Sequence, residues 1–130
     1  MQGKMKHIII LVITILTIYG CSEPKEYSID FCTNLNSDIE CEPSQTIFKT
    51  GSRVYVLFEC NQPFSEKRVI GNFYYIDQSE KISLGSQDWK INPGDSYAYD
   101  YVDFTEKGVY EFEFLNENRQ VLASKKLEIK

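Results

Sequence analysis

The sequence predicts an all-β protein, a Greek-key sandwich of about seven to eight strands in a single domain. Nine tyrosines, eight phenylalanines and one tryptophan occur in the 130-residue chain, and aromatic side chains are enriched in strands. After Cys21, no window of about eleven or more residues shows the 3.6-residue apolar period of an amphipathic helix. Short apolar stretches recur instead at roughly ten-residue spacing between turn residues, which is typical of a β-sandwich.

The predicted strands lie between clear breaks in the apolar pattern. Val54 to Phe58 form a continuous apolar run, which indicates a central strand buried on both faces. Gly71 interrupts the next strand and predicts a bulge there. The Asn-Pro-Gly-Asp sequence at 92–95 predicts a turn, because proline fixes φ and glycine accepts positive φ. Strands are predicted at residues 28–32, 53–60, 68–76, 82–84, 87–91, 96–104, 109–115 and 120–129.

The first part of the chain has the layout of a secretory signal peptide. Met1 to Lys6 carries two lysines and no acid, and residues 8–19 are apolar except for two threonines. This run of about twelve residues is too short for a transmembrane helix, which needs about twenty. We therefore expect residues 1–20 to be removed on export.

The end of this leader, Ile18-Tyr19-Gly20-Cys21, resembles the signal of a bacterial lipoprotein, in which a cysteine follows the cleavage point. Ile18 and Tyr19 stand where leucine and a small residue are usual, as in the looser versions of such signals. The resemblance implies that signal peptidase II cuts before Cys21 and that fatty acyl chains such as palmitate attach to this cysteine.

The same resemblance implies the organisation and location of the protein. Residues 1–20 are then the signal peptide, 21–27 a lipidated tether and 28–130 the folded domain. The protein is expected in the bacterial cell envelope, held to the lipid bilayer from outside the cytoplasm. Ser22 after the lipidated cysteine favours the outer membrane over the inner one.

The acidity of the chain limits its partners. The net charge is −5, and loss of Lys4 and Lys6 with the leader makes it −7. No run of four or more basic residues follows Cys21, so nucleic acid is an unsuitable partner. An acidic chain is also not attracted to anionic lipid, so the acyl chains must anchor the protein. Each methylene group buried in the bilayer contributes about 0.8 kcal/mol to membrane binding.

The composition argues against catalysis and against a metal or cofactor. The only histidine, His7, lies in the leader, which leaves no Ser–His–Asp or Cys–His site and no imidazole for catalytic zinc. Calcium needs several oxygens that converge from one loop. The acidic residues near the sixth and seventh predicted strands are instead spread along a strand and two turns, and we expect them to be solvated surface. These residues are Asp95, Asp100, Asp103 and Glu106.

Three cysteines remain once Cys21 carries lipid. A bridge between Cys32 and Cys41 would close a short polar loop and stabilise the fold by about 2.7 kcal/mol through loop closure. We favour this pairing, although bridges to Cys60, or no bridge, stay open because spacing alone does not decide connectivity. Cys60 shares a strand face with apolar side chains, so we expect it to be buried in the core.

The segment 104–112 resembles the E–F corner of immunoglobulin-like domains through its acidic-x-Gly-x-Tyr sequence. By this resemblance Tyr110, two residues after Gly108, is the corner tyrosine whose hydroxyl bonds back to the upstream backbone. Phe112 stands where antibody domains have a cysteine, so Cys60 has no partner in the opposite sheet. The resemblance implies an immunoglobulin-like sandwich without the intersheet disulfide.

The alternating tyrosines of the sixth predicted strand, residues 96–104, are the first candidate for a binding surface. They are Tyr97, Tyr99 and Tyr101. If exposed, they form a flat amphipathic surface suited to a protein or carbohydrate; if buried, they pack the sandwich. We expect packing, because the residues between them form the weaker core face. Those residues are Ala98, Asp100 and Val102.

These observations predict a lipid-anchored, non-catalytic binding or adaptor module with a protein partner in the cell envelope. The alternative is a small periplasmic inhibitor of a protease or lysozyme, in which the loop at 32–41 enters the enzyme cleft. A binding module should present a sheet face or strand edge, whereas an inhibitor should present a protruding loop.

Overall fold

Eight strands account for most of residues 23–130, which are the residues described by the computed structural model. The predicted leader 1–20 and the predicted lipidation site Cys21 lie outside them. No helix occurs between residues 23 and 130, and hence none long and apolar enough to cross a membrane. The strands are β1 (Tyr27–Cys32), β2 (Ile47–Phe48), β3 (Arg53–Cys60), β4 (Arg68–Asp77), β5 (Glu80–Lys90), β6 (Tyr97–Asp103), β7 (Gly108–Leu115) and β8 (Val121–Ile129).

The strands form two sheets with the connections of an immunoglobulin-like Greek-key sandwich, which confirms the predicted fold class. The smaller sheet has the order β1-β3-β6 and the larger has the order β2-β8-β7-β4-β5. The chain passes from one sheet to the other after β1, β2, β3, β5 and β6. Among the strands of residues 23–130, β2 and β8 pair in parallel and all other pairs are antiparallel.

The core lies between the sheets and is built largely from aromatic rings. Phe58 of β3 stacks on Phe114 of β7 with ring centroids 4.4 Å apart, and both rings are fully buried. Burial of each such side chain contributes about 1.5–3 kcal/mol relative to exposure. β1 lies against β8 on one side of the sandwich, whereas β5 and β6 form the two sheet edges on the other side.

The glycine-containing strand β4 differs from its prediction. The register between β4 and β5 shifts between Phe73 and Tyr74, not at Gly71, which pairs regularly with Phe114. A Cβ at Gly71 would lie 3.2 Å from the Phe114 ring and 3.2 Å from Trp89 Nε1. Glycine stands there because two rings approach the backbone, so the predicted bulge at this position is wrong.

β5 is one continuous strand where the sequence predicts two short ones. It pairs with β4 over its whole length, from Glu80 opposite Asp77 to Lys90 opposite Arg68. Nearly all its side chains are exposed, because an edge strand pairs through its backbone and needs no apolar face. Gly85 and Ser86, between the two predicted strands 82–84 and 87–91, give no strand signal, although their backbone belongs to the sheet.

The corner before β7 has the geometry expected from the immunoglobulin resemblance. The Tyr110 hydroxyl donates a 2.9 Å hydrogen bond to the carbonyl oxygen of Glu106. Gly108 has φ +150°, and a Cβ there would overlap the Tyr75 ring. Phe112 occupies the usual cysteine position and stacks on Phe73 at 4.6 Å between centroids. Ring stacking thus holds the place where antibody domains have a disulfide.

The cysteines follow the favoured pairing. Cys32 and Cys41 form a disulfide with their Cα atoms 5.3 Å apart, and Cys60 is a free, buried thiol. The bridged segment is an ordered hairpin, because the Asn36 side-chain oxygen accepts hydrogen bonds from the backbone N–H groups of Asp38 and Glu40. The predicted disulfide and the predicted burial of Cys60 are both confirmed.

Candidate functional site

The three alternating tyrosines of β6 form an exposed stripe on the outer face of the smaller sheet. Tyr97, Tyr99 and Tyr101 are 36%, 46% and 46% exposed. The inner face of β6 instead presents Ala98 and Val102, which pack against the core. The expectation that the tyrosines pack the sandwich is therefore wrong. Small inward-facing side chains are enough to cover the core at β6, because β6 is an edge strand of the smaller sheet.

One end of the stripe is fixed by its neighbours on β3. The Tyr101 and Tyr55 rings meet edge to face with centroids 6.0 Å apart. The Arg53 guanidinium lies 4.1 Å from the centre of the Tyr101 ring, and Arg53 Nε is 2.8 Å from Asp103 Oδ1. The hydrogen bond from Arg53 lowers the pKa of the Asp103 carboxyl. Tyr101 is thus held in one orientation, which reduces the entropy it loses on binding.

The chain that follows the Cys32–Cys41 disulfide is bonded to a residue of the same outer face. The Ser44 hydroxyl donates a 3.3 Å hydrogen bond to Asp30 Oδ1 on β1. Glu59 of β3 has a raised pKa, chiefly through burial and then through the nearby Asp30 carboxylate, with a further contribution from Glu40 of the hairpin. Leu57, which pairs with Tyr99, is fully buried although it points away from the core between the sheets.

The two candidate surfaces of the sequence analysis are therefore neighbours. Ser44 bonds to Asp30 on β1, and the backbone N–H of Gln45 bonds to the carbonyl oxygen of Phe31, while the tyrosine stripe on β6 stays open to solvent. At the tip of the hairpin, Ser37 and Asp38 are exposed. A partner approaching this face would meet a rigid hairpin and an aromatic stripe together.

The four acidic residues expected to be solvated surface lie at or near the surface, and Asp100, Asp103 and Glu106 are exposed. Asp103 pairs with Arg53 on the outer face. Asp100 pairs in register with Val56, a core residue, and so lies on the inner face of β6. Among residues 23–130 no group of three or more histidine, cysteine, aspartate or glutamate side chains is arranged to hold a metal ion.

A cavity between the sheets was missed by sequence reasoning. It opens between the edge strands β5 and β6, beside Trp89 and Asp100. Its position depends on the distance between two strands that are not hydrogen-bonded to each other, and no local pattern encodes that distance. Glycines at 71 and 85, both among its lining residues, are the only signal the sequence offers.

The segment that follows Cys21 is attached to the body of the domain. The Gln62 side chain donates to the carbonyl oxygen of Glu23 at 3.2 Å, and the Asn61 side chain donates to that of Pro24 at 3.1 Å. The backbone N–H of Glu26 donates in turn to Asn61 Oδ1 at 2.9 Å. From Glu23 onward the chain is thus held to the end of the sandwich that carries the β3–β4 loop.

Comparison with known proteins yields similarity of fold only. No protein-family model matches the chain, and no curated protein matches its sequence. A superoxide reductase (neelaredoxin) from Ignicoccus hospitalis aligns with a TM-score of 0.50 at 12% identity, covering 81% of this chain and 80% of that protein. A Niemann-Pick type C2 protein from the Japanese carpenter ant aligns with a TM-score of 0.47 at 15% identity, covering 85% and 96% respectively. At such identities the reductase alignment supports the β-sandwich architecture alone.

Proposed function

We propose that this protein is a lipid-anchored, non-catalytic binding module of the bacterial cell envelope that captures a protein partner through the tyrosine stripe. The observation that carries the proposal is the exposure of Tyr97, Tyr99 and Tyr101 on one edge strand. Tyrosines are enriched in protein interfaces, since each offers a large apolar surface and a hydroxyl at little cost in side-chain entropy. Three tyrosines share one face of β6, and Arg53 holds the ring of Tyr101 in one orientation, so the surface is pre-organised for binding.

The attachment of residues 23–26 supports the anchoring part of the proposal. Two Cα–Cα steps separate Cys21 from Glu23, which limits their distance to about 7–8 Å. Because Gln62 holds Glu23, acyl chains on Cys21 would keep the β3–β4 loop close to the bilayer. β1 runs away from that end for about 17 Å and leads into the disulfide-bonded hairpin. The hairpin would then point away from the membrane, and the stripe would stand beside it.

The proposal is tested by site-specific photocrosslinking in intact cells. A benzophenone amino acid at position 99 should give a discrete adduct with one envelope protein. The matched control is the same label at Val121, which is 56% exposed on the other sheet and should give none. Replacement of Tyr97 and Tyr101 by serine should abolish the adduct at 99. Equal labelling from both positions, or no adduct at 99, would overturn the stripe as a partner surface.

The anchor is tested separately by mass spectrometry of the N-terminal peptide. An acylated Cys21 as the first residue is expected, and a Cys21→Ser variant should leave the membrane fraction. An unmodified cysteine or a retained leader would contradict the anchor without touching the crosslinking result. The two parts of the proposal therefore fail independently.

The order of the hairpin favours a second candidate, a small envelope inhibitor of a protease or lysozyme. The Cys32–Cys41 disulfide and the hydrogen bonds to Asn36 fix the hairpin, while Ser37 and Asp38 at its tip are exposed. A rigid loop loses little entropy when it enters a cleft. Replacing Ser37 and Asp38 by glycine should abolish partner capture in this case and leave it intact if the stripe is the interface.

A further inference from the structure

The cavity between the free edges of the two sheets has the properties of a small-molecule site. Its volume is about 210 Å³. Phe112 and Phe114 of β7 line its depth, Trp89 of β5 lines one side and Asp100 of β6 lies on the opposite side. The cavity adjoins the inner face of β6 and the tyrosine stripe occupies the outer face, and Tyr101 is the residue of the stripe that also lines the cavity.

Two glycines shape this space in different ways. Gly85 pairs with Phe73 and therefore shares its inner face, and a Cβ at Gly85 would find no atom within 4 Å. Gly71 lets Trp89 and Phe114 approach its backbone, and these two rings meet edge to face at 4.8 Å. The aromatic surfaces around the space are thus ordered by contacts with one another.

Asp100 supplies the chemical character of the cavity. It belongs to the inner-face positions of β6, between Ala98 and Val102, but its side chain is exposed, and Asp100 Oδ1 accepts a 2.8 Å hydrogen bond from the backbone N–H of Tyr101. An inward charge is one way for an edge strand to avoid pairing with another chain. That role would not require an adjoining space lined by aromatic rings. Among the described residues that line the cavity, Asp100 is the only charged one, so the site favours a cation and disfavours an anion.

We propose that this cavity binds a small organic cation with an apolar body of about phenyl size, such as a primary arylalkylamine. The apolar body would lie against Phe112 and Phe114, and the ammonium would lie between the Asp100 carboxylate and the Trp89 ring. A cation over tryptophan gains about 0.5–2 kcal/mol, in addition to the interaction with the carboxylate. The volume admits a molecule on the order of ten non-hydrogen atoms.

The single tryptophan of the chain makes the proposal directly measurable. The full chain, purified in nonionic detergent with empty micelles as blank, is titrated with phenethylammonium while Trp89 fluorescence is followed. Its neutral and anionic counterparts, 2-phenylethanol and phenylacetate, are titrated in parallel. We expect saturable binding of the cation with a dissociation constant near or below about 1 mM, at least about tenfold weaker binding of the alcohol, and no response to phenylacetate.

Two variants separate the cavity from non-specific binding. Asp100→Asn should weaken binding of the cation about tenfold and leave the alcohol unchanged, and Val102→Phe should fill the space and abolish both. Asp77→Asn, at the exposed end of β4 and outside the cavity lining, is the matched control and should change neither. Equal affinity for cation and alcohol, unchanged binding in Asp100→Asn, or no saturable response to the cation would each overturn the proposal. Circular dichroism verifies that each variant is folded.

Discussion

The guanidinium of Arg53 lies 4.1 Å from the centre of the Tyr101 ring, so a cation on β3 orients an exposed aromatic side chain on β6. The same guanidinium bonds to Asp103, two residues further along the strand. These contacts hold the Tyr101 side chain in place on the solvent-exposed face of the smaller sheet. It also gives Arg53 an effect on binding that is separable from its effect on stability.

Arg53→Gln should weaken partner capture more than it weakens the fold. Arg53 and Asp103 form an exposed ion pair that water and salt screen, so the free energy of unfolding should change little. Loss of the cation over Tyr101 should nevertheless reduce the crosslinking yield at position 99. Arg68→Gln, which removes an exposed pair with Asp88 on the other sheet, is the control and should leave the yield unchanged. Equal effects of both variants would contradict a specific role for Arg53.

Glu59→Gln should stabilise the domain at neutral pH. Burial and the Asp30 carboxylate raise the folded-state pKa of Glu59, so the ionised form costs stability in the native state. The native state binds the proton more tightly, so stability falls as pH rises from the ordinary glutamate pKa to the raised one. Thermal unfolding should show a gain for Glu59→Gln at pH 7 that disappears below the ordinary pKa. Glu80→Gln, at the exposed first residue of β5, is the matched control. A gain for Glu59→Gln that persists in acid would refute this assignment.

Gly108→Ala should destabilise the domain by about 1–3 kcal/mol, the usual cost of overpacking. Gly108 has φ +150°, and an added Cβ would overlap the Tyr75 ring. Urea unfolding measures the loss. The double variant with Tyr75→Ala should show a smaller added cost for the alanine at 108, which isolates the steric part from the backbone strain. An additive result would mean that the overlap is relieved by movement of the ring at little cost.

Replacing Cys32 and Cys41 together by alanine should lower the free energy of unfolding by about 2.7 kcal/mol without loss of the sandwich. The bridge closes a short surface hairpin and lies outside the core between the sheets. A reducing agent should lower the wild-type midpoint in urea and leave that of the double variant unchanged. Complete unfolding of the double variant would show that the hairpin is part of the folding unit.

The parts of the fold that the sequence predicts well are those encoded locally. The bounds of β3 agree with prediction because its continuous apolar run sits between a glycine turn and an Asn-Gln-Pro break. The tyrosine corner is likewise a short motif whose hydrogen bond joins residues only four positions apart. The sequence predicts two short strands in place of β5, because its polar residues do not indicate burial. Its backbone nevertheless pairs with β4 along its whole length.

The candidate sites were harder to predict because they depend on which face of a strand is buried. On β6, tyrosines alternate with smaller residues, and either set can face inward by alternation alone. The choice is made by pairing with β3, which places Ala98 beside Phe58 and Val102 beside Val54. The cavity depends in addition on how far apart β5 and β6 lie, which no segment of the sequence specifies.

Phe112 in the place of a cysteine has a consequence for the order of maturation. The two sheets are joined by stacked rings, among them Phe73 on Phe112 and Phe58 on Phe114, with no covalent bond between the sheets. We therefore expect the sandwich to assemble in a reducing solution, with later oxidation closing the hairpin between Cys32 and Cys41. On this expectation, formation of the core and formation of the disulfide are separate events, and the second alters a surface loop and leaves the core as it is.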